Sequence, residues 1–254
     1  MSEASVSPGE AFAKYFSVDL ASTPEARAHV FGIRYRVYCE EFGYEDRRAF
    51  PDGQERDKYD AVSLHCLITH RTSATPAGCV RLVPTAAPGL ELLPLEEHCA
   101  NSLDRALLDS FSLDRSTMCE ISRLAVDGRF RRRAGESMSR FGASKAIDIS
   151  QQEERSFSLI SVAAFLAATA LTDLSGRHNV LAMMEPFLPR MLERSGIHFH
   201  RVGADVDYHG LRAPYLGRTY QDGLATMRPE LKQMYQAIHA RIRSQFQGAA
   251  GGVS

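Results

Sequence analysis

The stretch from Phe157 to Leu174 reads as a helix that is apolar on nearly every side. A helix of that kind has to be covered all round. Its central run, LISVAAFLAATAL from Leu159 to Leu171, is too short to cross a bilayer, so the cover is the protein's own core. Strand-like runs stand on both sides of it in the chain. AVSLHCLITH and AGCVRLVPT, separated by RTSATP, read as a β-hairpin, and CEISRLAV is a third strand. After the helix come the strand NVLAMMEP, the helix FLPRMLERSG ending at Gly196, and the strand IHFHRVG. DYHGLRAPYLGR reads as a turn leading into a last strand. Hairpins combined with a βαβ crossover predict an α/β fold with a mixed sheet.

Two more helices complete the pattern. TPEARAHVFGIRYRVYCEEFG opens on a cap, Ser22 or Thr23, followed by Pro24, and places Val30, Ile33, Val37 and Tyr38 at helical spacing. PELKQMYQAIHARI is an amphipathic C-terminal helix beginning at Pro229, with Leu231, Met234, Tyr235, Ile238 and Ile242 on one face. YEDRRAFPDGQERDKYD is polar and punctuated by Pro and Gly, a long loop of the functional or disordered kind. Asp127 to Arg155 is polar, a mobile insertion or a short helix. Residues 1–10 and 247–254 read as frayed tails, leaving one domain over 11–246.

A net charge of −1 gives no global pull towards nucleic acid, so any charged partner is recognised locally. The five cysteines are widely spaced and form no CxxC, which predicts free buried thiols in a reducing compartment, with no disulfide framework and no metal site. His198 and His200 share a strand face but lack a third ligand nearby. The N-terminus carries no secretion signal. A cytoplasmic protein without a transmembrane segment is the expectation.

The succession IRYRVYCEEFGY, ERDKYD, GCVRLVPT, LPLEEHC and EISRLAV resembles the autoinducer (acyl-homoserine-lactone) synthases of the GNAT superfamily. MEPFLPRMLERSGI and DYHGLRAPY resemble a sister group, the PEP-CTERM/exosortase-associated acyltransferases related to N-acyl amino acid synthases. The resemblance spans roughly residues 30 to 220. It implies an acyl-CoA N-acyltransferase fold: a central twisted sheet, mixed but mostly antiparallel, flanked by helices. It also implies transfer of a fatty acyl group from acyl carrier protein, or acyl-CoA, to the amine of an amino acid or similar small acceptor. The thioester is a co-substrate, and no cofactor is tightly bound. Two other readings are a lactone synthase using S-adenosylmethionine and a non-catalytic carrier- or acyl-binding module.

The family's recurring positions fall on Arg34, Tyr38, Tyr44, Asp57, Asp60, Arg81, Glu120 and Arg123, with Glu55 just ahead of the aspartates. Tyr44 stands where the lactone synthases have a tryptophan in the region that helps hold S-adenosylmethionine. Acyl transfer to an amine needs a proton acceptor, an oxyanion donor, a grip on the thioester arm and an apolar slot. Glu120 assists deprotonation of the acceptor, or else belongs to a buried Arg–Glu–Asp network that only shapes the site. Arg81 and Arg123 hold carboxylates, either the acceptor's or those of the aspartate pair. Side chains alternate along a strand, so Glu120 and Arg123 share a face only if a bulge lies between them.

Arg34, Asp57 and Asp60 form either a surface salt bridge pinning the loop or the ion pairs that set its closed shape over the acceptor. Tyr38 and Tyr44 pack on a substrate or in the core. Met183 and Phe187 line an acyl slot or are plain core. Arg131, Arg132, Arg133 and Gly135 in GRFRRRAGE occupy the family's pantetheine-binding position. They fit an acidic carrier protein, or are a solvated charge run.

Overall fold

The computed structural model describes residues 7–85, 91–131 and 159–251. Its first element is α1, Pro8–Tyr15, whose first turn lies in the stretch expected to fray. Ser7 and Glu10 form a reciprocal capping box there, which satisfies amide donors at the helix start. β1, Phe16–Leu20, follows directly, an edge strand that periodicity did not reveal because it is only five residues long. α2, Pro24–Arg34, is capped by Thr23 and runs into one π-helical segment, Tyr35–Glu41. The wider turn brings Val37, Tyr38 and Cys39, consecutive in sequence, all into buried positions.

The hairpin stands as read: β2, Leu64–His70, pairs antiparallel with β3, Thr75–Pro84. The loop before it is open apart from short 3-10 turns at Arg47–Ala49 and Lys58–Ala61. Two helices with no sequence-based expectation follow, α3, Pro94–His98, and α4, Arg105–Ser110. β4, Met118–Val126, is central, and α5, Gly128–Arg131, follows it.

The apolar helix is α6, Leu159–Leu174. Then come β5, Asn179–Met184, α7, Leu188–Glu193, β6, His200–Arg201, and β7, Val206–Asp207. IHFHRVG is therefore mostly irregular. β8 occupies Leu211–Arg218, so the supposed turn is largely strand; its Gly and Pro masked the alternation. The C-terminal helix, α8, runs Pro229–Gly251, beyond the expected limit. Among the described residues no helix is long and apolar enough to cross a membrane.

The eight-stranded sheet has the order β1-β2-β3-β4-β5-β8-β6, with β7 also on β8. Every pairing is antiparallel except β4 with β5. Its two faces are distinct. On one, Val80, Leu82, Cys119, Ala182 and Ala213 join the buried side of α6 in the main core. On the other, Leu181, Leu216 and Val83 pack with Tyr59, Leu93 and Leu95, and Cys79 and Ala125 pack with Val30 and Ile33 of α2. This second face carries the polar residues described next. The parallel β4–β5 ladder covers only Met118–Glu120 against Asn179–Leu181. Beyond Glu120 the two strands part, and the sheet opens in its middle.

Candidate active site

Strand pairing explains how CEISRLAV presents two charges to one face. Arg81 pairs with Ser122 and Cys79 with Ala125, so Val80 alone opposes both Arg123 and Leu124. The bulge thus falls on Arg123 itself, and the change of face comes between Ser122 and Arg123, where alternation required it. Arg123 takes φ +52°, a left-handed conformation that a non-glycine residue adopts only at a cost. As a result Glu120, Ser122, Arg123 and Ala125 share the polar face, while Cys119, Ile121, Leu124 and Val126 pack towards α6.

Glu120 is 4% exposed and sits where the ladder ends. The Leu95 amide donates to its Oε2 at 2.7 Å. Burial raises its pKa to about 7, with the Leu95 amide, Arg81 and Arg123 opposing the shift. No ion pair neutralises it among the described residues, in contrast to Glu45, Glu55, Asp57 and Asp60.

Those acids form one network. Arg34 Nη1 donates to Asp60 Oδ1 at 2.6 Å, and its Nε donates to Glu55. Arg81 Nη1 donates to Asp57 Oδ1 at 2.7 Å and to Asp60 Oδ1 at 2.8 Å. Arg123 Nη2 donates to Glu55 Oε1 at 3.1 Å and lies 3.5 Å from both Asp57 Oδ2 and Glu45 Oε1. Arg34 and Asp60, at 0% and 5% exposure, are no surface pair. Burial works against the charges of Asp60 and Glu55, but Arg34, with Arg81 or Arg123, outweighs it and holds both below the usual carboxylate range. Asp57 and Asp60 also form a capping box on the Lys58–Ala61 turn, so the same ion pairs shape the loop. Burial drives His65, 3.6 Å from Asp60, down to about 4.

Tyr38 is buried; its hydroxyl donates to the Leu124 carbonyl at 3.2 Å, and Arg123 lies over its ring. Tyr44 belongs to a stack of flat rings. Phe42, Tyr44, His209, Tyr208 and His98 follow one another at centroid distances of 5.2, 5.1, 4.6 and 6.1 Å. Burial, then Arg123 and Arg212, push His209 down to about 4, so it sits in the stack as a neutral ring.

A cavity of about 470 Å³ runs through the opening between β4 and β5. Glu120, Arg123, Tyr38, Tyr44, Tyr208 and Arg212 line its polar part. Phe165 and Ala168 of α6, Leu188 and Met191 of α7, and Phe199 line its apolar part. Phe199 fits because residue 217 is glycine: a Cβ there would lie 2.7 Å from its ring. Met183 lines the cavity from the polar face, and Phe187 stands exposed beside it. Arg131 pairs with Glu41, lies over the Phe42 ring and reaches the same cavity. Arg132, Arg133 and Gly135 lie outside the described residues.

All five cysteines are buried thiols, and none lines the cavity among the described residues. Burial pushes Cys79 up to about 12 and Cys39 to about 11, which removes them as nucleophiles at neutral pH.

Sequence reasoning brought Arg34, Asp57, Asp60, Arg81, Glu120 and Arg123 together, and the structure does the same. It named Glu55 only in passing and missed Glu45, Tyr208 and Arg212. Alternation in LRAPYLGR, read as a strand, would have placed Arg212 on the face of Leu216.

Residues 33–140 match the family described as Acetyltransferase (GNAT) domain. No curated protein matches the chain. Several solved structures share its fold. The acyl-homoserine-lactone synthase LasI superposes with a TM-score of 0.56 at 14% identity, over 84% of this chain and 94% of that one. The CoA-dependent acyl-homoserine-lactone synthase BjaI, solved with SAM and isopentyl-CoA, gives 0.56 at 16% identity, over 88% and 89%. FeeM, an N-acyl amino acid synthase from uncultured soil microbes, gives 0.53 at 12% identity, over 86% and 97%.

Proposed function

We propose that this chain, an acyltransferase of the GNAT type, moves a fatty acyl group from a carrier-protein or coenzyme A thioester to the amine of an amino acid. The observation that carries the reading is Glu120: a buried carboxylate with a pKa near 7, placed where β4 and β5 part, on a cavity with one polar and one apolar end. A general base works best when its pKa lies near the working pH.

The acceptor ammonium approaches from the polar face and gives its proton to Glu120. The free amine attacks the thioester carbonyl; a C–N bond forms and the C–S bond breaks. The departing thiolate takes up a proton. Backbone N–H groups on the unpaired edge of β4 are suited to stabilise the oxyanion. The acyl chain lies against Phe165, Ala168 and Phe199. Arg34, Arg81 and Arg123 hold the loop of Glu55, Asp57 and Asp60 against the site, a positioning role. Arg131, at the rim of the cavity, faces an acidic carrier protein.

BjaI and LasI are lactone synthases, so S-adenosylmethionine is the competing acceptor. Purified protein is to be supplied with acyl-CoA or acyl carrier protein thioesters of graded length, together with amino acids or S-adenosylmethionine. The products are read by mass spectrometry. N-acyl amino acids are expected. A dominant lactone overturns the acceptor, and no transfer to any primary amine overturns the activity.

The apolar end gives a separate prediction. Ala168→Phe fills the cavity beside α6, where the open space tolerates added volume better than a packed core would. The product spectrum is expected to shift towards shorter chains; an unchanged spectrum removes the chain from this channel.

A further inference from the structure

We infer that Arg212 holds the carboxylate of the acceptor, which makes the substrate class α-amino acids over simple amines. This rests on the transfer to an amine proposed above and deepens it.

Most cations around the cavity are already taken. Arg81 and Arg123 are bound to the acids of the loop, Arg131 to Glu41, and Arg218 to Asp222. Arg212 lines the same cavity, and among the described residues it has no carboxylate within ion-pair distance. Its Nε is buried without a hydrogen-bond partner. A buried donor left unmade is unfavourable, and a carboxylate accepting from Nε and a terminal nitrogen together would satisfy it.

Placement supports the assignment. Ala213 pairs with Met184, and Leu216 pairs with Leu181, which in turn pairs with Glu120. Arg212 and Leu216 are four residues apart on β8, so they share a face, and that face is the one bearing Glu120. Arg212 thus stands on the far lip of the opening, across from Arg123. Its guanidinium lies 5.9 Å from the centroid of Tyr44. Tyr44 is already stacked between Phe42 and His209, so that ring has little face to offer a ligand, and the cation beside it is the group left to bind. A zwitterion suits the site: carboxylate to Arg212, ammonium to Glu120.

The test compares each amino acid with its methyl ester and its decarboxylated amine, using decanoyl-CoA and decanoyl carrier protein as donors. Wild type is expected to favour the free acid by about 100-fold in kcat/KM. Arg212→Gln should reduce that ratio to below about 10-fold, chiefly through KM, with Arg212→Lys in between. Calorimetric titration of N-decanoyl amino acids against their methyl esters reads the same preference without turnover. Circular dichroism confirms that each variant is folded. Transfer without preference for the acid, or a ratio unchanged in Arg212→Gln, overturns the anchor while leaving the transfer intact. Acid-selective binding lost in Arg212→Gln, in a protein that acylates no amine, upholds the anchor and overturns the transfer.

Discussion

Glu120→Gln is expected to lower kcat/KM for amine acylation by about 10²- to 10⁴-fold, the range a positioned general base supplies. The wild-type rate should rise with pH through a midpoint near 7, as burial sets the Glu120 carboxyl, and the variant should lack that rise. The same substitution should make the protein more stable at pH 8. A carboxyl whose folded pKa is raised from 4.5 to about 7 costs nothing below the unfolded value, where both states hold the proton. As pH rises from 4.5 towards 7 the unfolded chain releases its proton first, and stability falls. Above 7 the penalty is complete, about 3 kcal/mol for a shift of that size. Glutamine never ionises, so its advantage should appear at pH 8 and vanish near pH 4.5. Denaturant unfolding at the two pH values checks this. Equal stability at pH 8 would mean that water or a shifted partner already relieves the charge, and the base would lose its tuned pKa.

Arg34→Met is expected to cost about 3–5 kcal/mol, because it leaves Glu55 and Asp60 buried with one cation removed from between them. For a chain of 254 residues each kcal/mol is worth roughly 2–4 °C in Tm, so thermal unfolding should shift by about 6–20 °C. Adding Glu55→Gln should recover part of the loss, since one stranded charge is then gone. The pH sign is opposite to that of Glu120. Asp60 and Glu55 are held below their ordinary values, so their contribution is present above the unfolded pKa of about 4 and is lost as pH falls through the folded ones. A loss under about 1 kcal/mol would make the network a solvated one, like an exposed pair.

Much of this was written in the residues themselves. The β2–β3 hairpin, β4, β5 and α6 announce themselves through long apolar runs, and α8 through its stripe from Leu231 to Ile242. The ends were harder. The capping box of Ser7 and Glu10 is visible as a four-residue pattern, yet small polar neighbours made the segment look frayed. β8 was hidden by Pro214 and Gly217, which suit a strand whose neighbours press close, as Phe199 does. In the site, charges were legible and contacts were not. Arg81 and Asp57 advertise an ion pair, but the stack of Phe42, Tyr44, His209, Tyr208 and His98 joins rings from three distant segments. No local rule announces a bulge at a non-glycine residue such as Arg123.

That bulge makes β4 a strand of two phases. Up to Ser122 the even-numbered residues look towards the polar loop; from Arg123 onwards the odd-numbered ones do. The extra residue is a parity change in the numbering, and it puts one more side chain on the polar face. Removing Arg123 would straighten the strand and leave Leu124, Ala125 and Val126 on their present faces, because each keeps its place opposite β3. Arg123 is thus surplus to the pairing with β3, and deleting it should leave a folded sheet while taking from Glu55 one of its two cations.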